Sequence, residues 1–226
     1  MTVIPFTFDE SSHIYTVKSR GISREVPGCT RVIDSSGMVD YGFVRPDILE
    51  RKSILGREVH RVTKLYDLKR LDFTSIDARV IPYLDSWIMF RKITGFVPEF
   101  VEEQCIAEAD GMLYGMQIDA AGHSGIGGRR SIETIVEKKC TVTVMPHHYV
   151  QTAGYALGWP KRIGRVEIVS PMARFLGRRR TIAQLTPRGI PNIFQCTDNE
   201  DAGAFLKALW ISEWKRRHQE IYREAA

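Results

Sequence analysis

The sequence predicts a mixed α/β domain: a central mixed sheet flanked by helices, with a small N-terminal β-hairpin extension. Two strand-like alternating runs, Met116–Ala120 and Ile132–Val136, sit on either side of a glycine-rich turn. Apolar stripes at helical spacing lie before them (Val59, Val62, Leu65) and after them (Phe205, Leu209). Helix and strand signals that interleave in this way describe an α/β architecture. The 226 residues fit one domain, with a β extension at 1–40, a core at 41–170, and C-terminal strands and a helix at 171–226.

From the N-terminus, residues 1–35 read as short strands and turns. Phe6-Thr7-Phe8 enters the turn cluster Asp9–Ser12, and His13–Val17 alternates, which together make a hairpin. Pro46-Asp47 suits a first helical turn, where proline's missing N–H costs no bond. The helical stripe then runs to about Arg70, with Gly56 as its weak point. Asp77 fits the N-cap of a next helix carrying Val80, Leu84, Trp87, Ile88 and Phe90, and Gly95 fits its stop. Phe96–Ala109 reads as a strand and Asp110-Gly111 as the tight turn into the next one. The glycine-rich segment Gly122–Arg130 joins two strands and lacks the GK[ST] ending of a phosphate loop, so it reads as a hairpin loop. Thr141–Met145 closes the strand region, and Pro146 opens a helix. Arg165–Val169 reads as another strand, and 181–196 as two short strands around Pro187-Arg188-Gly189. Asp198 or Asn199 caps a final helix whose apolar side is Phe205, Leu206, Leu209, Trp210 and Trp214.

A formal net charge of +5 permits a polyanionic partner without requiring one. Cys29, Cys105, Cys140 and Cys196 lie far apart with no CxxC spacing, which points to reduced thiols. The first residues lack a basic region followed by an apolar run, and no apolar stretch approaches the ~20 residues of a membrane span. A cytoplasmic location and no membrane partner are therefore expected.

The chemistry gathers around Asp119, Glu137 and Lys139. Glu137 and Lys139 are two apart, so on a strand they share a face. If the two alternating runs pair as a hairpin, Asp119 joins them. Two carboxylates and an ammonium suit hydrolysis: the acids hold a hard divalent cation, and the lysine orients water or stabilises a developing anion. Gln151 and Tyr155 are four apart on a helix face, where both can hydrogen-bond a substrate or a site water. From spacing, His60 reads as a surface or core-edge histidine. Glu102 and Glu103 precede Asp119 by one strand, and spacing does not separate them. His147 and His148 point about 100° apart on a helix, so they do not form a metal pair. Arg174, Arg178, Arg179 and Arg180 form the densest basic cluster. With Arg129 and Arg130 in the glycine-rich loop, these arginines are candidates for phosphate contacts, although such a run also fits a solvated face.

Asp119, then 17 intervening residues, then Glu137-Lys138-Lys139 resembles the D…(D/E)xK signature of the PD-(D/E)XK nuclease superfamily. Gln151-Thr-Ala-Gly-Tyr155 resembles the QxxxY motif of its RecB-like, phage-type exonuclease branch. Gly56-Arg-Glu-Val-His60 resembles that branch's upstream G…H helix motif. The resemblance covers roughly residues 56–155.

It implies a restriction-endonuclease-like sheet in the order α-β-β-β-α-β, with 41–170 as the nuclease core. It also implies Mg²⁺ or Mn²⁺ held by His60, Asp119, Glu137 and the backbone carbonyl of Lys138. Lys139, Glu137 and Asp119 would be catalytic, with Gln151 and Tyr155 holding the substrate or ordering the site. DNA would be the substrate, in phage or bacterial recombination and repair. Glu137 stands where RecB-like proteins usually have aspartate, and the Lys138-Lys139 run leaves open which lysine faces the site. Some relatives carry an iron–sulfur cluster on four cysteines, three of them grouped near the C-terminus. That grouping is absent, so no cluster is expected. A homo-oligomer or a recombination partner protein stays open. A non-catalytic DNA-binding or interaction protein of the same fold and a DNA endonuclease are the alternative readings.

Overall fold

The structure, a computed structural model, describes residues 5–9, 14–19, 21–40, 42, 44–125, 132–159 and 171–224. Strands β1 (Phe6–Asp9), β2 (Ile14–Ser19) and β3 (Ile22–Val26) form an antiparallel sheet, so the N-terminal extension has one strand more than the expected hairpin. Tyr15, Val17 and Val26 give it a small core of its own. The extension seats on the main domain at Gly115, where an added Cβ would lie 2.3 Å from the Tyr15 ring. Gly115 N also donates to Pro27 O at 2.9 Å.

Helix α1 (Cys29–Ser35) falls where strands and turns were expected. Its sequence, CTRVIDS, is poor in strong helix formers. Tertiary burial decides instead, because Cys29, Val32 and Ile33 sit at helical spacing in the main core. Helix α2 (Pro46–Asp67) runs unbroken through Gly56. Helix α3 (Ile81–Thr94) starts later than Asp77, whose carboxylate caps a preceding turn by accepting Arg79 N at 2.8 Å. Gly95, at φ +61°, ends α3 in the left-handed conformation that glycine adopts without strain.

The main sheet contains β4 (Val97–Ala109), β5 (Met112–Ser124), β6 (Ile132–Lys139), β7 (Arg179–Gln184) and β8 (Asn192–Cys196), in that spatial order. All neighbours are antiparallel except β6 and β7. Asp110 and Gly111 both have positive φ, +49° and +74°, the requirement of the tight hairpin turn their sequence predicts. A parallel pair needs a long crossover, and helices α4 (Pro146–Gly158) and α5 (Pro171–Leu176) lie within it. The segment from α3 to β7 thus runs α-β-β-β-α-β, with the short α5 added. Strand β6 stops at Lys139, short of the expected strand end, because Gln184 Nε2 holds Thr141 O and Val142 O in a loop, both at 2.8 Å.

Helices α1, α4, α5 and α6 (Glu200–Glu224) cover one face of the sheet around Ile118, Ile135, Leu157 and Phe205. Helices α2 and α3 cover the other around Val59, Val62, Trp87 and Phe90. Asp198 caps α6 by accepting Glu200 N at 2.8 Å. The inner face of α6 is Ala202, Phe205, Ala208 and Leu209, whereas Trp210 and Trp214 are 58% and 46% exposed. The expectation that both tryptophans line its buried side is therefore corrected: each lies about 100° round the helix from an inward residue. All four cysteines are free thiols, and among the described residues no helix is long and apolar enough to cross a membrane. His13, the strand expected at 165–169 and residues 126–131 of the glycine-rich loop, with Arg129 and Arg130, lie outside the described residues.

Candidate metal-binding and catalytic site

Strands β5 and β6 separate where the acids begin. Their last backbone pair is Ala120↔Val136, so Asp119 and Glu137 come next, just past the ladder. Lys138 N donates to Asp119 Oδ2 at 2.7 Å, and the carboxylate takes the place of a strand partner. On its other side β6 stays paired with β7 through Lys139↔Gln184, and Leu185 N donates to Lys139 O at 2.7 Å.

The pleat of β5 also breaks at this point. Ala121, Ile118 and Met116 all lie in the core beneath α4 and α6, although regular alternation would send Ile118 to the opposite face from Ala121. Across from Asp119, between the pairs Val101↔Ala120 and Glu103↔Ile118, stands Glu102 with φ +52°. That conformation costs a side-chain-bearing residue ~1–3 kcal/mol, and such strain gathers at functional sites.

The irregular strand pair places Glu102 beside Asp119, under α2. His60 Nδ1 lies 3.2 Å from Glu102 Oε1 and 3.3 Å from Asp119 Oδ1. One ligand atom from each of the three residues falls within 4.8 Å of the other two. His60 reaches the cluster because Val59, Val62 and Thr63 bury that face of α2 against the sheet. Glu102 also accepts Gln117 Nε2 at 2.9 Å and Lys138 Nζ at 3.2 Å. The Lys138 ammonium is fully buried, donates to Thr63 Oγ1 at 3.0 Å and stands 5.4 Å from the centre of the Trp87 ring.

The opposite parity of β6 builds the second half. Lys139 Nζ lies 2.5 Å from Glu137 Oε1 and donates to Gln151 Oε1 at 3.1 Å. Gln151 Nε2 donates to Tyr155 Oη at 2.7 Å, which fixes the amide with its oxygen toward the lysine. Glu137, Gln151 and Tyr155 are buried, and Lys139 and His60 reach solvent at 20% and 29% side-chain exposure. Glu137 Oε2 is buried without a hydrogen-bond partner among the described residues.

The electrostatics follow from this crowding. Burial, and then the charge of Asp119, push the Glu137 carboxyl up to about 7. Burial acts upward on Asp119 too, but the charge and hydrogen bond of His60, followed by Lys138 and Lys139, hold it well below the usual carboxylate range. Burial would lower His60, yet the charge of Asp119 and hydrogen bonds to Asp119 and Glu102 raise it to about 10. Without a cation, protons on His60 and Glu137 relieve the negative charge. Carboxylate oxygens with one imidazole suit Mg²⁺ or Mn²⁺, and the orphaned Glu137 oxygen fits a divalent ion as its missing partner. His60, Glu102 and Asp119 form a cluster that could hold such an ion, and Glu137 is not one of the three.

The structure brings together His60, Asp119, Glu137, Lys139, Gln151 and Tyr155. Of the two acids that spacing left unresolved, Glu102 enters the site, while Glu103 stays on the regular ladder opposite Ile118. Lys138, expected to act through its backbone carbonyl, contributes a backbone N–H to Asp119 and a buried ammonium to Glu102. The signal for that role was its position as the charged member of an otherwise uncharged parity, Ile132, Thr134, Val136, Lys138.

The expected arginine cluster is corrected in part. Arg178 is buried, donating to Ala156 O and Trp159 O at the end of α4 and pairing with Glu133 at 3.1 Å. Arg180 is buried against Asp198 O and Asp201 at the start of α6. Both serve the helix layer and not a surface. Arg179 is half-buried beside Ser124 and lines a cavity of about 340 Å³ between α3 and the opposite end of the sheet, away from Asp119. The side chain of Arg174 lies outside the described residues.

No protein-family model and no curated protein matches the chain. By structure it is similar to a chain described as "Crystal structure of SSO0001", at 15% identity over 70% of this chain and 71% of that one, with a TM-score of 0.32. A likeness that distant carries no argument about function.

Proposed function

We propose that this chain is a metal-dependent DNA exonuclease of the RecB-like PD-(D/E)XK kind, acting in phage or bacterial recombination and repair. The observation that carries the reading is the junction where β5 and β6 part. There Asp119, Glu137 with an orphaned buried oxygen, and Lys139 meet His60 and Glu102 in the order of the nuclease motifs.

His60, Asp119, Glu102 and Glu137 would hold Mg²⁺ or Mn²⁺, which when bound supplies an acidified water and offsets phosphate charge. Lys139, held between Glu137 and Gln151, presents its ammonium to orient the attacking water or donate to the phosphoryl oxygens as charge develops. Gln151 sets the position of Lys139, and Tyr155 sets the amide of Gln151. Lys138 pairs its fully buried ammonium with Glu102, and that ammonium takes no part in the chemistry.

The test is digestion of matched linear and closed circular DNA in Mg²⁺ or Mn²⁺, with Lys139→Ala alongside. An exonuclease degrades only the linear form, and the variant loses that activity. Cutting of the closed circle identifies an endonuclease, and DNA binding without cleavage of either form identifies a non-catalytic binding protein.

A further inference from the structure

Helix α6 carries a surface that the site does not use. Lys207, Trp210, Trp214 and Arg217 recur at i, i+3, i+7 and i+10, which makes one stripe along the helix. Both indoles face water, and the Trp214 ring stacks on His218 with 4.1 Å between centroids. Beside Trp210, a groove lined by Met112, Leu206, Lys207 and Arg217 runs against the Asp110-Gly111 turn. Among the described residues, Asp110 lines this groove, and Glu213 on the same helix is engaged by Arg24, Arg216 and Arg217. Flat aromatic faces flanked by exposed Lys207 and by Arg217, which is largely exposed while one of its nitrogens pairs with Glu213, are thus the character of the surface.

We propose that this stripe binds single-stranded nucleic acid, with bases stacked on Trp210 and Trp214 and phosphates met by Lys207 and Arg217. The class of ligand rests on the nuclease reading. Two positions four apart rise ~6 Å along a helix, which seats splayed bases and does not match the ~3.4 Å step of a stacked duplex strand. Lysine is depleted in the cores of protein–protein interfaces, whereas tryptophan and arginine are enriched there, so a dimer face is the competing outcome that the test must separate. Every base offers a π-face, so such binding is sequence-tolerant and salt-sensitive. The groove borders the start of β5, roughly 23 Å along that strand from Asp119.

The experiment is fluorescence anisotropy of a labelled oligo(dT) in EDTA, where no cleavage can occur. It compares wild type, Trp210→Ala/Trp214→Ala and Lys207→Ala, with folding checked by circular dichroism. Wild type is expected to bind, the double-tryptophan variant at least about tenfold more weakly, and Lys207→Ala with a shallower salt dependence. Equal affinity for wild type and the double variant overturns the proposal. So does sedimentation showing that the two tryptophans hold a dimer together while oligonucleotide binding is unmoved. Metal-dependent cleavage of a duplex is measured in parallel. Loss of oligonucleotide binding in the double variant supports the stripe even if wild type cleaves nothing, in which case only the nuclease reading fails.

Discussion

Lys138 and Lys139 are adjacent in sequence and sit in opposite settings. Lys138 is sealed between Thr63, Trp87 and Glu102, whereas Lys139 touches Glu137, Gln151 and solvent. Lys138→Met would leave the Glu102 carboxylate with His60 as its remaining cation partner. Removing the only partner of a buried pair costs ~3–5 kcal/mol, so urea unfolding in EDTA should show a loss smaller than that. Adding Glu102→Gln to Lys138→Met should recover part of it.

Glu137 gives a pH signature. Its folded pKa is raised to about 7 from 4.5, so between those values the folded state keeps a proton that the unfolded state has released. Metal-free stability therefore falls as pH rises through that window. The thermal midpoint in EDTA should drop between pH 5 and 7 more steeply for wild type than for Glu137→Gln, and Mn²⁺ should restore the wild type. His60 acts at higher pH. Its folded pKa of about 10 means that its stabilisation, complete below 6.5, fades as pH climbs toward 10. At this scale the sequence revealed the acids and Lys139 through their period-two spacing. It left Glu102 level with Glu103, because the entry of Glu102 depends on a left-handed backbone that no propensity of glutamate announces.

Two glycines separate what helices need from what packing needs. Gly56 lies within α2 with open space where a Cβ would go, so Gly56→Ala should stabilise by ~1 kcal/mol, the intrinsic helix preference. Gly154 lies within α4, and a Cβ there would stand 2.5 Å from the Phe205 ring of α6. Gly154→Ala should destabilise by ~1–3 kcal/mol through overpacking and shift the helix that carries Gln151 and Tyr155. Denaturant unfolding checks both, and equal effects would contradict this packing. The strands around the Asp110-Gly111 turn were legible because turn chemistry and alternation agree. Helix α1 was not, because its β-branched residues become helical only through burial of Cys29, Val32 and Ile33. The outward turn of Trp210 and Trp214 was equally hidden, since small residues at 202 and 208 let α6 approach the sheet on a different face.

At the scale of the whole molecule, the site exists because elements far apart in sequence converge on one break in the sheet. Helix α2 brings His60, β4 brings Glu102, β5 brings Asp119, β6 brings Glu137 and Lys139, and α4 brings Gln151 and Tyr155. Motif order along the chain forecast most of this convergence. The burial of Arg178 and Arg180 was not forecast, because a basic run on a strand reads alike whether it meets solvent or the carbonyl ends of a helix. The proposed chemistry turns on the distinction between the two lysines. The deciding measurement is the degradation rate of one end-labelled linear duplex in Mn²⁺ by wild type, Lys139→Ala and Lys138→Ala. Wild type should degrade the duplex, Lys139→Ala should lose at least about a hundredfold in rate while still binding Mn²⁺, the size of effect seen when a charge-stabilising donor is removed, and folded Lys138→Ala should retain cleavage. A wild type that cleaves nothing, or cleavage that depends on Lys138 and not on Lys139, would contradict it.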